Sequence, residues 1–185
     1  LRKLGARPFQ SQEAIRADLF SIERLEQCAG DLALEQKQTS LPKRFPRLLP
    51  RLEENGRFLL SAYRILSDAV GNERVISPAA EWLVDNFHIV EEQVREIRED
   101  LPFGYYAELP KLAHGDRAGY PRIYSIAVEL IAHTDSRLDA ETLARFLTAY
   151  QQTTPLTIGE LWAVAITLRI VLVENLRRLA SLIIN

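Results

Sequence analysis

Methionine is missing from the 185 residues and the first residue is Leu1, so the sequence reads as a trimmed piece of a longer protein. Its opening lacks the basic, apolar and small-residue succession of a secretory signal peptide. The lone cysteine, Cys28, has no partner for an internal disulfide, which suits a reducing compartment. Only eight glycines and nine prolines occur, which excludes collagen-like and low-complexity chains. Neither sign of charge dominates: 23 Lys and Arg against 25 Asp and Glu leave a net charge of −2. No general basic field exists to recruit nucleic acid or an anionic membrane. Long hydrophobic runs are also lacking. The best, Leu156 to Val173, approaches the roughly 20 residues of a membrane span, but Glu160 and Arg169 interrupt it. A buried helix is expected there, with no transmembrane span.

Several catalytic signatures are absent too. No P-loop, no Gly-x-Gly-x-x-Gly fingerprint and no Gly-x-Ser-x-Gly elbow occurs. Cys28 has no histidine nearby in sequence and reads as a small packing residue.

What is present is helical period. With 47% hydrophobic and 26% charged residues, the chain can close a core without disulfides or metal. Apolar residues recur at steps of three and four almost everywhere, and no segment alternates as a strand would. The fold class is therefore all-α, a multi-helix bundle of about six helices around an apolar C-terminal helix. Residues 1–75 read as two N-terminal helices joined by a proline-rich basic connector, and residues 76–185 as a helical domain. A first helix is expected from about Gln12 to Gln36, with Ile15, Leu19, Ile22, Leu25, Ala29 and Leu32 on one face. In the connector, Leu41 to Pro50, Pro42, Pro46 and Pro50 forbid regular helix. Lys43, Arg44, Arg47 and Arg51 give it the look of a solvated linker. A second helix, from Leu48 or Leu52 to Val70, buries Leu52, Leu59, Tyr63, Leu66 and Val70, and Gly71-Asn72 supplies left-handed residues to end it.

Ser77-Pro78 opens a third helix, serine as cap and proline at its first position. Leu83, Phe87, Val90, Val94, Ile97 and Leu101 form its apolar stripe, and Glu81, Asp85, His88, Glu92, Arg95 and Glu99 the opposite one. From Leu101 to Arg122 the period stops among prolines, glycines and three tyrosines, Tyr105, Tyr106 and Tyr120. So long a connection is expected to have a functional reason. Two short helices follow, Ile123 to Thr134 and one capped by Asp139. Thr157-Ile158-Gly159-Glu160 forms a capping box for the last helix, whose apolar residues cover nearly its full circumference.

Four groupings invite chemistry. Asp85 with His88, and Glu129 with His133, each place a carboxylate and an imidazole on one helix face. Carboxylate-bridged bundle metals need repeated Glu-x-x-His, which the chain lacks, so no metal site is assigned. Arg169 sits in the apolar last helix, where an unpaired charge costs several kcal/mol. A partner from another helix, Glu129 or Asp135, is expected, making Arg169 and Glu129 a structural buried charge pair. Trp82, Tyr105, Tyr106 and Tyr120, with Asp85 and Glu108, have the mixed aromatic and acidic character of a glycan-binding surface. No residue is assigned a catalytic role.

The stretch Pro78 to Pro102 (PAAEWLVDNFHIVEEQVREIREDLP), followed by Gly104 to Leu112 (GYYAELPKL), resembles the N-terminal region of bacterial cyclic β-1,2-glucan synthases. Gly119 to Tyr124 (GYPRIY), His133 to Asp139 (HTDSRLD), Pro155 to Ala163 (PLTIGELWA) and Val173 to Ala180 (VENLRRLA) continue the likeness in order. It covers about Ile76 to Ala180. The resemblance implies a large inner-membrane enzyme that builds β-1,2-glucan from UDP-glucose with a divalent metal. It also implies a transferase domain bearing Asp-x-Asp and Gln-x-x-Arg-Trp motifs, and a phosphorylase-like C-terminal domain. Neither motif occurs in these residues, so no catalytic residue carries over and no cofactor is expected in this segment. The implied role is a non-catalytic accessory or scaffold segment on the cytoplasmic side of the bacterial inner membrane. Its partners would be the remaining domains of the parent synthase, and β-1,2-glucan. The alternative reading is a free-standing helical glycan-binding or enzymatic domain.

Overall fold

The computed structural model describes residues 13–39, 47–101 and 103–184. Pro42, Lys43, Arg44, Pro46 and Pro102 lie outside these, so the expected connector is tested only at its end. Among the described residues the chain is an all-α bundle of seven helices with one minimal strand pair. The order is α1 (Ile22–Glu35), β1 (Gln38–Thr39), α2 (Leu48–Gly71), α3 (Pro78–Asp100), α4 (Phe103–Glu108), β2 (Lys111–Leu112), α5 (Arg122–Thr134), α6 (Ala140–Thr153) and α7 (Ile158–Ile184). Helix α7, 27 residues and about 40 Å long, packs against α2, α3 and α5, while α1 packs on α6 beside α5. No described helix is long and apolar enough to cross a membrane.

Local signals set several elements. The Ser77 hydroxyl accepts from the Ala80 amide at 3.3 Å, with Pro78 in the first helical turn. All six expected apolar positions of α3 are buried, from Leu83 to Leu101. Ser77→Ala is expected to lower stability by about 1 kcal/mol in urea titrations followed by circular dichroism. Phe87 reaches α2 by stacking on Tyr63 with ring centres 4.5 Å apart. The gap between these helices closes at Gly56, where an added Cβ would lie 3.2 Å from a Val94 methyl. Asp139 caps α6 through the Thr142 amide at 2.8 Å.

Elsewhere tertiary bonds override the local pattern. The first helix starts at Ile22, ten residues later than the apolar spacing from Gln12 suggests. Residues 13–20 instead run as a strap whose backbone bonds go to other elements. Ala17 and Phe20 amides donate to the carbonyls of Ala132 and His133, and Ile15 N–H donates to Asn175 Oδ1 at 2.6 Å. Ile15 is buried, whereas Leu19, expected on the core face, is 69% exposed. At the end of α2 the left-handed residue is Glu73 (φ 56°), not Gly71 or Asn72. Val70, expected inside, is exposed. The 101–122 connection is also ordered by pairing: Gln38 aligns with Leu112 and Thr39 with Lys111, antiparallel. Two-residue strands carry too little pattern to be read from sequence.

The last helix departs most from expectation. Its apolar residues do not all find neighbours, since Ile158 and Trp162 are 74% and 79% exposed. Its inward side, conversely, is not wholly apolar. Glu160, Thr167 and Glu174, spaced by seven, are all buried, as are Asn175 and Arg178. Spacing by seven keeps the first three on one stripe of the helix, and that stripe meets the N-terminal ends of α2 and α5.

Candidate functional site

Two buried ion pairs fix α7 in place. Arg122, the first residue of α5, and Glu160 are 1% and 0% exposed in their side chains. Arg122 Nε donates to Glu160 Oε1 at 2.8 Å and Nη2 to Oε2 at 2.6 Å, a bidentate pairing. Nη2 also donates to the Pro155 carbonyl at 3.1 Å. The same carboxylate accepts from the Thr157 amide at 2.9 Å, while Thr157 Oγ1 accepts from the Glu160 amide at 3.1 Å. The expected capping box is therefore present and doubles as the acceptor for a buried guanidinium.

About four turns further along α7, Glu174 gathers Arg51, Arg178 and Tyr124. Arg51 Nε and Nη2 donate to it at 2.9 and 2.5 Å, and Tyr124 Oη at 2.9 Å. Arg178 adds a further short contact. Burial alone would raise the Glu174 carboxyl, but the Arg51 bonds and the charges of Arg51 and Arg178 outweigh it and hold it below its ordinary value. Arg51 is thus no solvated linker residue; it lies in the first turn of α2 and points into the core.

The unusual 101–122 segment is tied to the start of α7. Tyr105 donates its hydroxyl to the Gly159 carbonyl. Tyr106 is buried, and the Lys111 ammonium sits 5.3 Å over its ring while donating to the carbonyls of Tyr106, Ala107 and Leu109. Tyr120 stacks on Tyr124 and bonds Arg51. This segment serves the core through two of its tyrosines and keeps Tyr105 half-buried at the surface.

The expected glycan surface is not brought together. Trp82 and Asp85 lie near the start of α3 and Tyr105, Tyr106 and Glu108 follow its end, roughly 25 Å away along the helix. Tyr106 is also 3% exposed, which removes it from any surface. The buried-pair expectation for Arg169 is likewise corrected. Its side chain is 43% exposed and bonds Glu96 of α3 at 3.2 Å. Glu129 pairs instead with Arg117 and lies 3.7 Å from His133, and Asp135 pairs with Arg16 at 3.0 Å. Arg169 lies on the side of α7 facing α3, where Glu96 is in reach and Glu129 of α5 is not. His133 holds the strap: it stacks on Phe20 with ring centres 3.8 Å apart, and Nδ1 lies 2.8 Å from the Asp18 carbonyl. Asp85 and His88 are exposed on α3. Among the described residues no three His, Cys, Asp or Glu side chains gather as metal ligands would.

The concavities among the described residues include three larger than about 300 Å³. The α2–α3 groove, about 630 Å³, is lined by charges of both signs, including Glu53, Arg57, Glu91, Arg95 and Arg98. A cleft of about 400 Å³ by the strand pair brings Lys37, His114, Asp116 and Arg117 beside Glu129, and the Arg117–Glu129 pair occupies its wall. The third, about 370 Å³, is formed by Asp100, Tyr105, Trp162, Ala165, Ile166 and Arg169. Here an aromatic wall, an apolar floor and two opposite charges share one open groove. An apolar circumference for the last helix would place Trp162 in the core; in the structure it lies two positions, about 200°, from the buried Glu160 and faces away from that stripe.

No family model matches the chain. The chain is 39% identical over 180 residues, 97% of its length, to the cyclic beta-(1,2)-glucan synthase NdvB of Rhizobium meliloti (strain 1021), and spans 6% of that synthase. The likeness expected over about Ile76 to Ala180 therefore extends into the N-terminal helices. Over nearly all its length, this chain is similar in sequence to one short segment of a cyclic β-1,2-glucan synthase.

Proposed function

We propose that the chain is a non-catalytic helical accessory segment of a glucosyltransferase that makes cyclic β-1,2-glucan. The observation that carries this reading is the 39% identity across 97% of the chain to a segment of such a synthase. The geometry agrees with it in kind: the buried carboxylates Glu160 and Glu174 are each engaged by arginine, as befits groups that hold helices together. In this reading the remaining polypeptide supplies the UDP-glucose site and its divalent metal. The segment lies on the cytoplasmic side of the bacterial inner membrane and docks on the other domains of the parent.

The test uses the Rhizobium meliloti synthase. Membranes carrying a synthase without the matching segment are expected to lose glucan synthesis from UDP-glucose while the polypeptide still accumulates. Replacing that segment by this chain is expected to restore synthesis. The purified chain by itself is expected to leave UDP-glucose intact. Normal synthesis without the segment, or turnover by the isolated chain, would overturn the reading.

A further inference from the structure

We propose that the groove between the end of α3 and the start of α7 is a stacking site for a β-linked glucan chain, an inference that rests on the accessory reading above. Trp162 is 79% exposed on the second turn of α7, and with the exposed Ile158 and Leu161 it gives the start of this helix an apolar surface of the kind that marks a binding site. Beside it, Tyr105 is held by its hydroxyl bond to Gly159, so its ring forms a positioned wall. Ala165 and Ile166 make the floor. The rim is polar: Asp100 is exposed and its carboxylate forms no hydrogen bond or ion pair among the described residues. Arg169 engages Glu96 through one nitrogen and is 43% exposed.

That distribution matches the surface of a β-glucopyranose unit. With every ring substituent equatorial, its two faces carry only C–H bonds and its edge carries hydroxyls. An aromatic face takes the first, and a carboxylate with a guanidinium takes the second, one as acceptor and one as donor. A groove of about 370 Å³ also falls within the range of small-ligand sites. A docking helix would meet the same floor, but it would have to desolvate both Asp100 and Arg169 at its edges. A sugar edge replaces their water with hydroxyls.

The experiment titrates linear β-1,2-linked glucose oligomers into the full chain carrying Trp82→Phe, which leaves Trp162 as the single indole reporter. A saturable change in emission, matched by calorimetry, is expected. Trp162→Ala should weaken binding about tenfold or more by calorimetry, with an unchanged helical circular-dichroism spectrum because the side chain is exposed. Asp100→Asn and Tyr105→Phe should weaken it less. A flat titration by both methods, or undiminished affinity in Trp162→Ala, would overturn the proposal. If the titration is flat and Trp162→Ala instead releases this segment from the rest of the synthase, the face is a protein-docking surface and the glucan site is wrong. A flat titration alongside a synthase that needs the segment rejects this site alone. Binding alongside a synthase indifferent to the segment rejects the accessory role.

Discussion

Arg122→Ala is expected to destabilise the fold by about 3–5 kcal/mol, measured by equilibrium urea unfolding. The reason is not the strength of the ion pair but what its loss leaves behind. Glu160 is wholly buried, and without Arg122 its charge retains only the Thr157 hydroxyl and amide. For a domain whose total stability is about 5–15 kcal/mol, this is a large fraction. The double variant Arg122→Met, Glu160→Gln should lose much less than the two single changes added together, since both charges leave the interior at once. A single variant within about 1 kcal/mol of the parent would show that the pair is not desolvated.

Glu174→Ala should cost a comparable amount, about 3–5 kcal/mol, because Arg51 and Arg178 would then share a buried pocket without their counter-charge. The carboxylate also predicts a pH dependence with a definite sign. Its folded pKa lies below the ordinary 4.5, so on acidification the unfolded chain takes up the proton first. The stabilisation is complete above about pH 4.5 and is lost as pH falls through the lowered folded value. Melting temperatures recorded from pH 7 to pH 3 should fall steeply below 4.5 in the parent and less steeply in Glu174→Gln. Parallel curves would remove Glu174 as the acid-sensitive group.

The helices that were legible in sequence are those whose ends and faces are written in neighbouring residues. Ser77-Pro78, Asp139 and Thr157-x-x-Glu160 mark starts that the structure places at the same residues. The stripe of α3 is buried as its spacing requires. What stayed hidden depends on partners far along the chain. The stretch from Glu13 to Phe20 has helical spacing, yet its amides are taken by residues more than one hundred positions away. Arg51 reads as a linker charge until Glu174, 123 positions later, supplies its reason for lying inside. The expected glycan surface failed for a geometric cause: Trp82 and Tyr105 are divided by nearly the whole length of α3. The same helix brings Asp100 to Trp162, a juxtaposition that no spacing within one segment could announce.

The strap has a topological consequence. Asn175 holds Ile15 by both its amide groups, and Arg178 donates to the Glu13 carbonyl at 2.9 Å. The strap is thereby fastened to the C-terminal half of α7. Bonded to α7 at Glu13 and Ile15 and to the end of α5 at Ala17 and Phe20, it clasps two helices distant in sequence, and parting them means breaking both sets of bonds.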